Sequence, residues 1–269
     1  MSAVDRTRAI EVGGLTMAFR RAGKGPPLVL VHGAMCDSRV WGEQLDGLSD
    51  EFDVVAWDAP GCGGSDDPPE DLTLAGYADC LAGFIEALGL GRPHVVGHSF
   101  GGGLVLQLAV RHPTRVRSLV VVGGYAGWSG SLPPDEVDRR LAFALSLAEK
   151  LPVPVRPESV PGLVSAAMPP ERLEELAAVM SDVRGAGARV MARALAAADL
   201  RAELPSVRAS TLVVYGSADE RAGGPVAQAL HAAIPGSVLV ELPGVGHECY
   251  LEAPAAFNAE VRRFLRSVA

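Results

Sequence analysis

The stretch Gly97-His98-Ser99-Phe100-Gly101 is the sharpest chemical signal in the chain. It follows an apolar run ending near Val96 and opens an amphipathic stretch, so it reads as a tight strand-to-helix turn. Glycines at both ends permit a turn in which larger side chains would clash. That turn lifts Ser99 Oγ above a sheet edge, at a helix N-terminus whose dipole favours developing negative charge. A serine hydroxyl is a weak nucleophile and needs a base. Six histidines are available. His98 adjoins the serine, with its side chain expected to point the other way. His32 ends one apolar run, His94 begins another, and His112 and His231 fall in or after helical stretches. His247 lies in Pro243-Gly244-Val245-Gly246-His247-Glu248, a Gly-rich loop after the last apolar run. Open α/β sheets assemble their sites from loops at the carboxyl ends of parallel strands, so His247 is the expected base. A carboxylate should fix its tautomer and stabilise the imidazolium. Asp219 follows the run Leu212–Tyr215 and is the expected acid, with Glu220, one position on, as its rival. Attack on a carbonyl creates an oxyanion that needs two N–H donors. Phe100 supplies one by position. The other is expected from His32-Gly33-Ala34-Met35, at Ala34 or alternatively Met35.

The elements needed to position these groups are legible as alternating signals. Strand-length apolar runs stand at Leu28–Val31, Val54–Trp57, His94–Val96, Leu119–Val122, Leu212–Tyr215 and Val238–Leu242. Before them, Ile10–Val12 and Leu15–Arg20 flank Gly13-Gly14, a hairpin signal. Helical patterns cover Arg39–Leu48, Leu72–Leu88, Phe100–Arg111, Gly224–Ala233 and Ala255–Val268, the last with Phe257, Val261, Phe264 and Leu265 at helical spacing. Such alternation predicts an α/β fold: a mostly parallel sheet flanked by helices. The region from Tyr125 to Glu203 breaks the rhythm. It has three helical stretches (Pro134–Lys150, Glu171–Val183, Ala186–Leu200) and no convincing strand, so it reads as an inserted helical cap. The expected division is a core over 1–124, the cap over 125–203, and the rest of the core over 204–269.

Composition excludes several function classes. The 269 residues include 24 Lys and Arg against 32 Asp and Glu, a net charge of −8. An acidic surface repels phosphate backbones, so no nucleic-acid partner is expected. Lys24 and Lys150 are the only lysines, which leaves no Lys-rich run for an anionic membrane. No apolar stretch approaches the roughly 20 residues of a membrane span. Met1–Gly14 carries Asp5, Arg6, Arg8 and Glu11 and does not read as a signal peptide. Cys36, Cys62, Cys80 and Cys249 lack metal spacing and are expected as free thiols in a reducing cytoplasm. No metal and no cofactor are expected. Gly61–Gly64 has neither nucleotide-loop spacing, and Asp58 is expected to order its own turn.

Taken in order, His32-Gly33, Asp58-Ala59-Pro60-Gly61-Cys62-Gly63-Gly64-Ser65, Gly97–Gly102, Gly216 to Asp219 and Gly246-His247 resemble the landmarks of the α/β-hydrolase superfamily, of the kind with a helical cap. The resemblance spans the chain from about Gly25 to its end, except the cap. It implies an eight-stranded sheet and the chain order Ser99, Asp219, His247. Dehalogenases and epoxide hydrolases of this superfamily usually carry an aspartate nucleophile, which Ser99 opposes. Many of its carbon–carbon hydrolases have asparagine before the serine, where this chain has His98.

The expected function is a serine hydrolase acting on a small or medium, mostly apolar carboxylic ester through an acyl-enzyme, with a small molecule as its partner. Its alternatives are a carbon–carbon hydrolase of β-diketone-like substrates, or a secondary-metabolite tailoring hydrolase, and a non-catalytic ligand-binding member of the same fold. Met35, Trp41, Tyr125, Trp128 and Met180 are expected in the pocket, with Met168, Met180 and Met191 forming cap core. The apolar character of these segments predicts a preference for uncharged acyl groups. Arg184, Arg189 and Arg193 are expected to face solvent.

Overall fold

Five runs rich in valine and leucine become buried strands because both faces of a central parallel strand are covered. They are β3 (Pro27–Val31), β4 (Asp53–Trp57), β5 (His94–His98), β6 (Ser118–Val122) and β7 (Ser210–Gly216). The edges are β1 (Arg8–Val12), β2 (Leu15–Ala22) and β8 (Val238–Leu242), which are more exposed. The computed structural model describes residues 6–268. Met1–Asp5, part of the segment read as no signal peptide, and Ala269 lie outside the described residues.

The sheet has eight strands in the order β1-β2-β4-β3-β5-β6-β7-β8. β2 runs antiparallel to both neighbours and every other pairing is parallel. Gly13 and Gly14 turn the β1–β2 hairpin with φ of 60° and 83°, values only glycine adopts cheaply. Strand alternation divides the core in two. Val29, Val31, Val55 and Trp57 join one cluster with α2 (Leu74–Ala87) and α3 (Phe100–Arg111). Leu28, Leu30, Val54 and Ala56 join the other with α1 (Gly42–Leu48) and α9 (Pro254–Ser267), where Phe257, Val261, Phe264 and Leu265 point inward. A 3-10 turn, Ser38–Trp41, precedes α1, so the single helical pattern at Arg39–Leu48 is two elements. α7 (Gly224–Ala233) crosses between β7 and β8, and the short α8 (Cys249–Glu252), absent from the sequence reading, follows the His247 loop.

Between β6 and β7 the chain forms α4 (Pro134–Lys150), α5 (Pro170–Ser181) and α6 (Gly185–Ala197) and, among the described residues, no strand. α6 adds Val190, Met191, Ala194 and Leu195 to the first core cluster, and α5 adds Leu176, Val179 and Met180 to the second. This insertion therefore shares the cores of both sheet faces. No helix among the described residues is long and apolar enough to cross a membrane.

Candidate active site

At the end of β5 the chain reverses into α3 through Ser99, held at φ 52° and ψ −109°. A non-glycine residue in that region stores about 1–3 kcal/mol of strain and persists only where its surroundings enforce it. Here the enforcement is close packing: a Cβ on Gly97 would lie 2.2 Å from Gly101 O, and one on Gly101 would lie 2.3 Å from Val31 O. The Ser99 amide donates to Val122 O at 2.9 Å, tying the turn to β6.

His247 Nδ1 lies 2.9 Å from Asp219 Oδ2, and both side chains are buried. The carboxylate only accepts, so Nδ1 carries the hydrogen and Nε2 keeps its lone pair. That Nε2 has no hydrogen-bond partner among the described residues and borders the same cavity as Ser99. Asp219 Oδ1 accepts from the amides of Arg221 (2.7 Å) and Ala222 (2.9 Å). Burial alone would raise the Asp219 pKa, but the imidazole and these two amides outweigh it and hold the carboxyl at about 2. Glu220, the rival acid, is exposed and makes no bond to His247.

Two glycines let the parts meet. A Cβ on Gly216 would lie 2.2 Å from Val245 O, so the loops after β7 and β8 approach only because it is absent. Gly123, at φ +50°, passes beneath the pair: a Cβ there would stand 3.1 Å from His247 Nδ1 and 3.3 Å from Asp219 Oδ2. The Gly123-Gly124 pair was visible in the sequence, where its meaning as clearance for an imidazole was missed.

After β3, His32 Nε2 accepts from the Ala59 amide at 3.1 Å, so its Nδ1 donates to Gly33 O at 2.7 Å. This fixes the loop that carries Ala34 and Met35 beside Ser99; a Cβ on Gly33 would lie 3.4 Å from Ser99 Cβ. Met35 is the second non-glycine residue with positive φ, at 63°. The amides of Ala34, Met35 and Phe100 have no acceptor among the described residues. Asp58 orders its turn through bonds from the Ser38 and Gly64 amides, at 2.7 and 3.0 Å.

Ser99, His247, Ala34 and Met35 open onto a cavity of about 210 Å³. Met35, Trp128 and Met180 line it, while two other expected pocket residues do not. Trp41 is fully buried below the site with its ring 4.3 Å from that of Tyr250, because its turn faces the core shared with α9. Tyr125 is buried behind the wall, where its hydroxyl accepts from Arg140 Nη1 at 2.9 Å. His98 also departs from expectation. Its ring stays in the site, 4.8 Å from that of His247, and its Nε2 lies 3.1 Å from His247 O. The reversal at Ser99 breaks strand alternation, so neighbouring side chains no longer point to opposite faces. Burial and the adjoining His247 hold the His98 pKa well below its ordinary value. Glu248, buried beside His98 at 3.8 Å, is pushed up to about 7 by desolvation. Of the methionines expected in the cap core, Met180 and Met191 also border the cavity, whereas Met168 does not.

The surround is mostly apolar, as expected, but it carries charged groups that the sequence reading did not place there. Arg184 and Arg189 pair with Asp67 and Glu70 away from the cavity, and Arg193 is exposed. Arg139 and Arg140 from α4, and Arg221 after Asp219, line it instead, together with Glu136 and Glu220. Helical spacing within the insertion could not reveal which helix turns its charged face inward. Among the described residues no group of three or more His, Cys, Asp or Glu side chains is arranged to hold a metal ion, and the four cysteines are unpaired.

Residues 28–260 match the model of a family described as the alpha/beta hydrolase family. A relative 33% identical over 263 residues, 95% of this chain and 68% of its own length, is the dihydrolipoyllysine-residue acetyltransferase component of the acetoin cleaving system of Cupriavidus necator. Among solved structures, a thermophilic esterase from Thermogutta terrifontis with malate bound is similar at TM-score 0.88 and 28% identity, covering 98% of this chain and 99% of that one. The enol-lactonase from Burkholderia xenovorans LB400 is similar at TM-score 0.85 and 26% identity, covering 96% and 100%. With its elbow turn, sheet order and this family match together, the chain is a member of the alpha/beta hydrolase family, and a hydrolase.

Proposed function

We propose that the protein is a serine hydrolase that cleaves a small or medium carboxylic ester through an acyl-enzyme. The observation that carries this reading is the His247–Asp219 bond of 2.9 Å, which leaves an unpartnered Nε2 on the same cavity as the strained Ser99. His247 Nε2 takes the Ser99 proton as Oγ attacks the carbonyl carbon. The amides of Phe100 and Ala34, or Met35 in place of Ala34, stabilise the oxyanion. As the intermediate collapses, His247 returns the proton to the departing alcohol. Water then attacks the acyl-enzyme with His247 again as base. The helical insertion acts as a cap that excludes bulk water, and its apolar residues hold the hydrocarbon part of the substrate. Support also comes from the likeness to an esterase and to an enol-lactonase, since a lactone is a cyclic ester.

A screen of p-nitrophenyl esters by chain length, beside fluorophosphonate labelling of wild type and Ser99→Ala, tests the reading. Turnover with labelling at Ser99 is expected. No turnover of any ester, or equal labelling of Ser99→Ala, overturns it. Carbon–carbon cleavage is the second reading, because the polar groups it requires around the distal substrate are available in Arg140 and Arg221. Cleavage of a vinylogous diketo acid by a protein inert to every ester would select it.

A further inference from the structure

Arg221 stands out among the charged side chains around the cavity. It follows Asp219 by two residues, its own amide donates to Asp219 Oδ1, and it lines the cavity. The guanidinium makes one hydrogen bond, from Nη1 to Pro161 O at 2.8 Å. Among the described residues no carboxylate lies within 4.0 Å of it. Its Nε and Nη2 have no protein acceptor there either. The side chain is half-buried, so its charge faces the cavity without a protein counter-charge, and arginine stays charged rather than yield its proton. Partial burial lowers its pKa from the ordinary value.

The neighbouring charges do not satisfy it. Glu136 is occupied by Arg139 and Arg140, at 2.7 and 2.5 Å, which hold its carboxyl down at about 2. Arg140 also donates from Nη1 to Tyr125 Oη at 2.9 Å and from both Nη1 and Nη2 to the Arg221 carbonyl at 3.2 Å. It thereby anchors the Arg221 backbone and adds a second positive charge nearby. Glu220 is exposed, so water and salt screen it. Gly162 brings the Pro161–Leu163 loop against this group: a Cβ there would stand 3.3 Å from Arg221 Cγ.

We propose that Arg221, backed by Arg140, forms an anion subsite, and that the substrate is an ester bearing a second carboxylate away from the scissile bond. This deepens the serine-hydrolase reading and rests on it. A planar fork with open N–H groups suits a carboxylate, and the ion pair forms where bulk water is excluded. The apolar wall at Met35, Met180 and Met191 then holds the hydrocarbon between the two carboxyl carbons.

The test compares matched esters by pH-stat. Monomethyl glutarate against methyl pentanoate places the anion on the acyl side. 3-(Butyryloxy)propanoate against butyl butyrate places it on the alcohol side. In one pair, Arg221→Gln is expected to lower the anionic-to-neutral ratio of kcat/KM by about tenfold or more. A general loss would lower both esters of a pair alike and leave the ratio unchanged, and Arg221→Lys should recover part of the ratio. Ratios unchanged within about twofold in both pairs overturn the subsite. Should wild type hydrolyse none of the four esters, the serine-hydrolase reading is what fails. Calorimetry of glutarate with Ser99→Ala and with Ser99→Ala/Arg221→Gln then decides the subsite alone. Binding lost in the double variant supports it; equal binding, or none to Ser99→Ala at millimolar glutarate, overturns it.

Discussion

The floor and the roof of the cavity are built by different means. The floor consists of the loops after β3, β5, β6, β7 and β8, and its geometry is a property of the backbone. Gly97, Gly101, Gly123 and Gly216 stand where a Cβ would crowd or strike the candidate reacting groups or the backbone that holds them. Ser99 and Met35, the two non-glycine residues at positive φ among the described residues, both lie there. The roof comes from Trp128, α4, Met180 of α5, α6 and the 160–163 loop. Its tight glycines pin helix to helix or helix to body, as Gly185 does against Ala148 O and Gly187 against Gly61 O. Its cavity face consists of side chains. The contrast teaches that chemistry, which fails with small displacements, rests on backbone that cannot relax, while selection rests on side chains that can be exchanged.

The comparison predicts graded losses, starting in the floor. Ser99→Ala should cost on the order of 10⁶ in kcat while the protein still folds, because the side chain adds little to the core. Retention of more than about a tenth of wild-type activity would remove Ser99 as nucleophile. Asp219→Asn should cost on the order of 10⁴, since the neutral amide can impose the wrong tautomer on His247, with Glu220→Gln below about tenfold. A crippling Glu220→Gln beside a mild Asp219→Asn would exchange the two roles. Gly123→Ala tests the backbone argument directly. It adds one methyl group about 3 Å from the imidazole at a φ unsuited to alanine, and should cost roughly 10- to 100-fold in kcat. Normal kinetics for that variant would show that the floor yields more than its contacts imply.

Roof substitutions should change selection and leave the chemistry alone. Met180→Ala and Trp128→Ala should shift the ratio of kcat/KM between short and long acyl chains by about tenfold, as expected for a pocket altered by a few methylenes. Identical chain-length profiles would take both residues out of the substrate's path.

Glu248 bears on stability rather than turnover, and contrasts with its near neighbour Asp219. Two buried carboxyls are driven apart, to about 2 and about 7, because one is held by the imidazole and two amides while desolvation dominates the other. Between its unfolded value near 4.5 and its folded value near 7, Glu248 holds a proton that the unfolded chain releases. Its contribution to stability is therefore full at low pH and is lost as pH rises through that window. His98, held neutral by burial, acts with the opposite sign below its ordinary value. The expected result is that wild type, less stable than Glu248→Gln at pH 8, gains about 2–3 kcal/mol relative to it by pH 5, read by denaturant titration. A gap independent of pH would mean that Glu248 titrates as an ordinary exposed carboxyl.

Local pattern was enough for the frame. Continuous apolar runs marked β3 to β7, and Gly13-Gly14 marked the hairpin, because these signals concern residues that interact along the chain or bury both faces alike. The elbow at Gly97–Gly101 and the loop of His247 were legible for the same reason: each needs a specific backbone path, which only certain residues allow. The cavity wall was not. Whether Trp41 or Met35 faces the substrate, and whether Arg184 or Arg140 does, depends on how the insertion lies across the sheet. That orientation is settled by contacts between residues far apart in sequence, such as Arg140 with the Arg221 carbonyl and Gly187 with Gly61. Periodicity states that a helix has two faces, and only the packed chain says which one looks inward.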